Sequence, residues 1–145
     1  MEISSKSEYA LLAMIEVASC YGKGEPAQIR QIAAQQNIPD RYLEQLLATL
    51  RRGGLLRSER GSKGGYFLTR HPKEITLLDV IVCMEGTVLQ KQGTTPSTGH
   101  AARDVVLEIW QESQQAANDV LKQYSLQDLL DRLETYENLN LMYYI

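Results

Sequence analysis

Apolar residues recur at helical spacing over most of the chain, and the clearest repeat is a set of four leucines at i, i+3, i+4 and i+7. These are Leu43, Leu46, Leu47 and Leu50. The repeat predicts an amphipathic helix from about Arg41 to Arg52 with its leucine face buried. Asp40 is expected to cap the start of this helix, and Gly53 and Gly54 are expected to end it.

A second amphipathic helix is predicted directly before this one, from Pro26 to Gln36. Proline suits the first turn of a helix because its missing N–H is not needed there. Asn37 can end the helix, since asparagine tolerates the left-handed backbone conformation. The apolar stripe of the helix consists of Ile29, Ile32 and Ala33. Two helices joined by so short a connection predict a helix–turn–helix.

Two short strands are predicted after the helix pair, at Leu55 to Ser58 and at Tyr66 to Thr69. The loop between them contains three glycines together with Arg60 and Lys63. Glycine lets a backbone approach a sugar-phosphate chain closely, and an arginine at such a tip can enter an A·T-rich minor groove. This hairpin is therefore interpreted as the wing of a winged helix-turn-helix in a mainly α fold.

Four further helices complete the predicted fold. The first runs from Lys6 to Tyr21, with Ser5 as its cap and Glu8 at the capping-box position three residues later. The others are a helix from Thr76 to Met84 that ends at Gly86, a long helix from Ala101 to Gln123, and a short helix from Leu126 to Leu133 that Ser125 caps.

The long helix is the predicted dimerisation element. Its 23 residues span about 34 Å, which is more than the small helical half before it needs for its own core. The surplus apolar face suits a second copy of the chain, and a helix folded back on its own core is the alternative. The residues predicted to dimerise are Val105, Val106, Ile109, Trp110, Ala117, Val120 and Leu121.

The distribution of charge supports a DNA-binding half joined to a half that does not bind DNA. The net charge is −3, but residues 1–75 contain eleven Lys and Arg against eight Asp and Glu, whereas residues 76–145 contain four against ten. The basic residues are thus concentrated around the helix–turn–helix. Ser5 and Lys6 could bind a phosphate at the first helix's N-terminus, and a solvated helix cap is the alternative.

Three motifs in order resemble the Rrf2 family of bacterial winged-helix transcription regulators, and the likeness extends over nearly the whole chain. They are Ser5 to Ala10, Tyr42 to Leu46, and Arg57 to Tyr66. The resemblance implies a homodimer on a partly palindromic operator, with the second helix in the major groove. The residues predicted to contact DNA are Ser5, Lys6, Arg41, Tyr42, Glu44, Gln45, Arg51, Arg52, Arg60, Lys63 and Tyr66.

Many members of this family bind an iron–sulfur cluster through three cysteines and a histidine. With Trp110 aligned to the family's tryptophan, those four positions fall near Gln92, Thr98, Asp104 and Leu107. None of these residues is a thiolate or imidazole ligand, and His100 alone cannot form a site. We therefore expect no cofactor and no metal site.

The C-terminus resembles the cluster-free, cysteine-metabolism repressor branch of the family. That branch associates with O-acetylserine thiol-lyase, an enzyme that accepts a C-terminal isoleucine carboxylate in its active site. The resemblance implies that a tail formed by Tyr143, Tyr144 and Ile145 docks there. A tail that packs along the dimer helices or pairs as a strand is the alternative.

The sequence offers no basis for catalysis, since it has no nucleophile–base pairing and no phosphate-binding loop of the Gly-Lys-Ser/Thr type. Cys20 and Cys83 are expected to be buried, reduced thiols. The chain has no membrane-length apolar run and no secretory signal, so the cytoplasm is expected. The predicted organisation is a DNA-binding domain at 1–87, a flexible loop at 88–100 and a dimerisation segment at 101–145.

The leading functional hypothesis is a sequence-specific repressor. Gln45 is predicted to pair with adenine and Glu44 with a cytosine amine, while the basic residues bind phosphates. One alternative is a winged helix used for protein contacts, which the acidic pI of about 5.4 favours. The other is a metal-sensing or redox-sensing regulator of the same family.

Overall fold

The computed structural model describes residues 2–86 and 97–143. Its elements, in chain order, are helix α1 (Ser5–Tyr21), α2 (Ile29–Gln36), α3 (Asp40–Arg52), strands β1 (Leu56–Glu59) and β2 (Gly65–Leu68), a 3-10 helix (Pro72–Glu74), α4 (Leu77–Glu85), α5 (Ala101–Gln123) and α6 (Leu126–Tyr143). The predicted mainly helical fold with a two-stranded wing and a long C-terminal helix is confirmed. Most of the loop predicted at 88–100 lies outside the described residues.

The hydrophobic core is formed mainly by residues 10–84. The core residues of the described chain all fall between Ala10 and Met84 except Leu126, which begins α6. The four leucines of the predicted repeat are at most 2 % exposed. Their burial confirms that one face of α3 is fixed in the core, so the opposite face must point outward.

Helix α2 begins at Ile29 rather than at Pro26. The preceding Ala27 pairs with Tyr66, and the two residues exchange backbone N–H···O bonds of 2.9 Å each. Because this bridge needs extended backbone, residues 26–28 cannot join the helix. Asn37 ends α2 with φ 53°, as its sequence position predicted.

Two of the predicted helix caps are wrong. Ser4, not Ser5, caps α1, and its Oγ accepts a 3.1 Å hydrogen bond from the Ser7 N–H. Helix α3 begins one residue earlier than predicted because the Pro39 carbonyl already accepts the first helical bond, from the Leu43 N–H. Asp40 therefore lies inside the first turn and makes no side-chain capping bond.

The wing strands are antiparallel and are displaced by about one residue from their predicted bounds. Leu56 pairs with Leu68 and Glu59 pairs with Gly65. Thr69 falls outside β2, where its side chain donates to the Gly54 carbonyl at 2.7 Å. The wing is thus attached at its base to the glycine pair that follows α3.

The predicted bounds of α5 are confirmed, but those of α6 are wrong. Helix α6 continues ten residues beyond Leu133, to Tyr143, since the sequence Leu126–Tyr143 contains no glycine or proline to end it. The chain beyond the predicted end of this helix is therefore helical as far as Tyr143, and Tyr144 and Ile145 lie outside the described residues. Within residues 2–86 and 97–143, no helix is long and apolar enough to cross a membrane.

Candidate DNA-binding surface

The outward face of α3 is polar and strongly exposed. It has the side chains that the helical repeat places opposite the leucines, and all of the following are exposed: Arg41, Glu44, Gln45, Arg51 and Arg52. Arginine, glutamine and glutamate have the donors and acceptors that bind base edges and phosphates. The buried and exposed faces of α3 are thus consequences of one sequence pattern.

A groove of about 450 Å³ brings α1 and α3 together on this side of the molecule. Lys6 lines it from α1, and Tyr42, Gln45 and Arg52 line it from α3. Residues 36 or more positions apart in the sequence therefore form one surface. The structure brings the predicted phosphate-binding start of α1 beside the predicted base-reading side chains.

Glu85 fixes the start of α1, which is a role that the sequence did not suggest. Its carboxylate accepts hydrogen bonds from the hydroxyls of Ser4 and Ser7, the latter at 2.8 Å. These two bonds, with a smaller contribution from the charge of Lys6, lower the pKa of Glu85. The last residue of α4 thereby sets the position of Lys6. The available sequence signal was a serine at residue 7, at helical spacing from the apolar Ala10 and Met14.

Tyr42 and Tyr66 are half-buried, unlike the charged residues around them. The Tyr42 ring meets the edge of Tyr9 in a T-shaped contact, with 5.6 Å between centroids and an interplanar angle of 83°. Tyr66 holds the wing to Ala27 through the backbone pair described above. Both tyrosines therefore connect elements of the surface to one another.

The wing loop has its two predicted contact residues, Arg60 and Lys63, on the outside. A close backbone approach shapes this loop, because a Cβ on Gly64 would lie 2.2 Å from the Glu59 carbonyl oxygen. Arg57, by contrast, pairs with Glu59 at 2.8 Å and lies over the Phe67 ring, 4.2 Å from its centroid. Arg57 is therefore engaged within the wing.

The predicted dimerisation residues of α5 divide by exposure. Ala117 and Leu121 are half-buried, whereas five large apolar side chains are more than half exposed. Those five are Val105, Val106, Ile109, Trp110 and Val120. This set, which we call the α5 stripe, forms an apolar surface that the described chain does not cover.

The two cysteines differ in their surroundings. Both thiols are free, and Cys20 is buried as predicted. Cys83, contrary to the prediction, is only partly buried, because it faces the end of α3, where its Sγ lies 3.6 Å from the Thr49 carbonyl oxygen. Partial burial raises the pKa of the Cys83 thiol.

The positions at which family resemblance would place cluster ligands do not fit an iron–sulfur cluster. Asp104 accepts hydrogen bonds from the Thr98 N–H at 2.9 Å and from the Thr98 hydroxyl at 2.7 Å, so two of those positions bind each other. These bonds, and one from Ser97, lower the pKa of Asp104. Leu107 offers no ligand atom, and Gln92 lies outside the described residues.

His100, the remaining nearby candidate, caps α5 by accepting a bond from the Arg103 N–H. Among the described residues, no group of three or more His, Cys, Asp and Glu side chains could hold a metal ion. The absence of a cofactor stays a prediction.

Comparison with known proteins identifies the family of this chain. The sequence model described as "Rrf2: Iron-dependent Transcriptional regulator" matches residues 3–132. The chain belongs to the Rrf2 family. As an Rrf2 regulator, it is a DNA-binding winged helix-turn-helix protein and not an enzyme.

Individual Rrf2 relatives match along almost their whole length. The HTH-type transcriptional regulator CymR of Bacillus subtilis is 38% identical over 129 residues, which are 89% of each chain. The solved structure of CymR, described as the global cysteine regulator of B. subtilis, has a TM-score of 0.76 at 35% identity and covers 91% of this chain and 98% of its own. The structure of T. potens IscR has a TM-score of 0.78 at 32% identity, covering 94% and 90%.

Proposed function

We propose that this Rrf2 protein is a sequence-specific repressor that binds a partly palindromic operator as a homodimer. The observation that carries the proposal is the α3 face, whose charged and amide side chains are exposed while its leucines are buried. Lys6 lies in the same groove, and the exposed Arg60 and Lys63 extend the surface to the wing. One helix for the major groove and one basic loop for the backbone or minor groove are the parts that such recognition needs.

The α5 stripe supports the homodimer. Large apolar side chains exposed in a row along one helix mark an interaction surface, and two-fold dimers are the commonest assembly. Two copies of a helix about 34 Å long can hold their α3 helices about one duplex turn apart, the spacing of successive major grooves. A palindromic operator would match this two-fold symmetry.

The residues of the surface have different roles in this proposal. Gln45 pairs with adenine, and Glu44 accepts from a cytosine amine and rejects bases that offer no donor. Arg51, Arg52 and Lys63 bind phosphates, which adds affinity without reading sequence. Arg60 enters the minor groove from the wing.

The test measures base preference and salt dependence separately. Duplexes are first selected from a random pool with the wild-type protein, and their affinities are then measured by fluorescence anisotropy at several salt concentrations. Glu44→Ala should relax the preference among duplexes by about 1–3 kcal/mol per contacted position. Lys63→Ala should weaken all duplexes alike and flatten the salt slope by about one unit.

Arg57→Gln is the matched control for Lys63→Ala, because it removes a wing cation that is already paired with Glu59. It should leave the salt slope nearly unchanged. Specificity loss in Lys63→Ala combined with a uniform loss in Glu44→Ala would overturn these roles. Failure of the selection to yield any preferred duplex would overturn sequence-specific recognition itself.

We further propose that the regulated genes belong to cysteine metabolism and that the C-terminus binds O-acetylserine thiol-lyase. The likeness to CymR supports the first part, since that relative is described as a cysteine regulator. The second part rests on the C-terminal sequence, which follows a helix whose last described side chain, Tyr143, is 89% exposed. An exposed helix end can present a terminal carboxylate and one apolar anchor to an enzyme pocket.

Deletion of Tyr144 and Ile145 tests the tail directly. Calorimetric titration of the lyase with the truncated protein should show binding lost or strongly weakened, because the carboxylate and the anchor are removed together. The truncated protein should keep its affinity for the selected duplexes, which confirms that it is folded. Undiminished lyase binding would exclude the tail as the docking element.

A further inference from the structure

A second cavity, of about 870 Å³, lies at the C-terminal end of α3, beside the candidate DNA-binding groove, with which it shares Thr49 and Arg52. Residues from the end of α3, from the wing base, from α4 and from α5 line it. Its size is within the range of small-molecule sites. Among its polar side chains, three are charged, Arg52, Arg70 and Asp79, and one has an amide, Asn118.

Asn118 is the most informative of these side chains. It is only 8% exposed, although it lies on α5 among residues that are mostly exposed. Its side-chain amide makes no hydrogen bond to any residue in the described ranges, and Asn118 lines the cavity. Every fully enclosed polar side-chain atom of those ranges has a hydrogen-bond partner. The Asn118 amide has none, so it is not fully enclosed, and the cavity that it lines is its route to solvent. Its donor and acceptor are therefore available to a molecule in the cavity.

The charges of the cavity favour an anion. Two guanidinium groups line it against one carboxylate. That carboxylate is already engaged, because Asp79 Oδ2 accepts a bond from the Thr76 N–H at 2.9 Å and lies 3.8 Å from Arg70 Nη2. Such a long ion pair leaves most of the Arg70 donors unused, and guanidinium groups match a carboxylate's two oxygens in geometry.

The rest of the wall is apolar, with Leu55, Leu78 and Val82 among its residues. A ligand that complements both the charged and the apolar parts of the wall has an anionic end and a short hydrocarbon part. We propose that this cavity binds a small organic carboxylate, with Arg52 and Arg70 at the carboxylate and Asn118 as a further hydrogen-bonding partner.

Arg52 connects this site to DNA recognition. It lines both the cavity and the groove that contains Lys6 and Gln45. A carboxylate bound at Arg52 neutralises a cation that the proposed function assigns to a phosphate, so the ligand lowers DNA affinity. This second step rests on the proposed function, whereas binding of the carboxylate itself does not.

Binding is tested on the full-length protein without DNA. Hexanoate and its uncharged counterpart hexanamide are titrated at constant ionic strength and followed by ¹H–¹⁵N NMR. Hexanoate should shift the signals of Asn118 and its cavity neighbours in a saturable way, and hexanamide should bind on the order of tenfold more weakly because it lacks the charge.

Two variants test the assigned residues. Arg70→Gln should weaken hexanoate binding on the order of tenfold, and Asn118→Leu should weaken it several-fold because the hydrogen-bonding amide is replaced by an apolar side chain. Arg57→Gln is the control, since Arg57 is a similarly exposed arginine bound within the wing. If Asn118→Leu does not fold, the test of the site depends on Arg70→Gln. The Arg70 side chain is about half exposed, so its replacement should leave the fold intact.

Three results would each overturn the proposed site. They are equal shifts from hexanoate and hexanamide, the absence of saturable shifts, and unchanged hexanoate binding in Arg70→Gln. The coupling is measured separately, as the change in affinity for the selected duplexes when hexanoate is added at constant ionic strength. Reduced affinity in the wild-type protein but not in Arg70→Gln supports it. Hexanoate that binds without changing DNA affinity overturns the coupling alone, and absence of any preferred duplex overturns the proposed function while the NMR result stands.

Discussion

The two described parts of the chain differ in how far their apolar side chains are buried. In residues 2–86, which we call the head, large apolar residues such as Met14, Ile32 and Leu47 have no exposed surface. In residues 97–143, which we call the arm, many are 41–89% exposed. The head has folded around its own core, whereas the arm keeps an apolar surface that suits another molecule.

The difference follows from how each part is attached. The head's elements pack on one another around α1, and the arm joins them through several attachments, among them the packing of α6 on α1 and on the 3-10 helix and the packing of α5 on α4. Another is a backbone pair in which the Leu77 N–H donates to the Tyr124 carbonyl and the Leu126 N–H donates to the Ile75 carbonyl, each at 2.9 Å. Leu126 is also the one residue of the described arm that belongs to the core. The α5 stripe is not covered by any of the residues that the structure describes.

The largest expected effect comes from a charge placed in the α5 stripe. Ile109→Glu puts a carboxylate on each side of a two-fold interface, where burial and mutual repulsion both oppose association. The dimer dissociation constant should rise on the order of a thousandfold or more, while the head stays folded. Sedimentation equilibrium gives the constant, and circular dichroism reports the helix content.

Glu108→Gln is the matched control, since residue 108 is exposed on the same helix but lies outside the stripe. It should leave the dissociation constant nearly unchanged. A stable dimer in Ile109→Glu would mean that the arm does not use this surface, and the contrast between head and arm would then need another explanation.

A smaller effect is expected in the head, at the wing glycine with the closest backbone contact. A Cβ on Gly64 would lie 2.2 Å from the Glu59 carbonyl oxygen, so Gly64→Ala must displace the wing backbone. The free energy of unfolding should fall by about 1–3 kcal/mol. DNA affinity should also fall, because the loop that positions Arg60 and Lys63 is distorted. Urea unfolding and anisotropy measure the two effects.

Gly22→Ala provides the comparison for that substitution. Gly22 has φ −71°, and no atom lies within 4 Å of the position that a Cβ would take, so alanine fits without strain. The free energy of unfolding of this variant should be unchanged or slightly higher. Equal behaviour of the two variants would show that the wing tolerates a Cβ at residue 64 by a small shift.

Sequence reasoning succeeded where one periodic pattern determines the structure. The leucine repeat of α3 and the bounds of α5 follow from local spacing, and the family motifs identified the function class. It failed where distant residues decide the outcome. The start of α2 depends on a bridge to Tyr66, and the start of α1 depends on Glu85, 78 positions after Ser7. The DNA-contacting roles and the dimer stay predictions.

The smallest expected effect concerns the carboxylate of Glu85, the last residue of α4. Hydrogen bonds from Ser4 and Ser7 lower the pKa of Glu85 below its ordinary value of 4.5. A group whose pKa is lowered by folding stabilises the fold above its unfolded pKa, and this contribution is lost as the pH falls through the folded pKa. Since Glu85 is partly exposed to solvent, Glu85→Gln should cost no more than about 1 kcal/mol at neutral pH.

The difference between wild type and Glu85→Gln should shrink as the pH falls below 4.5, because the wild-type carboxyl is then protonated as well. Urea unfolding between about pH 7 and pH 3 measures it, with Glu25→Gln, an exposed loop substitution, as the control. A difference that stays constant over this range would mean that the serine bonds do not depend on the charge. The start of α1, and with it Lys6, would then be held by packing and by hydrogen bonds that do not need the charge of Glu85.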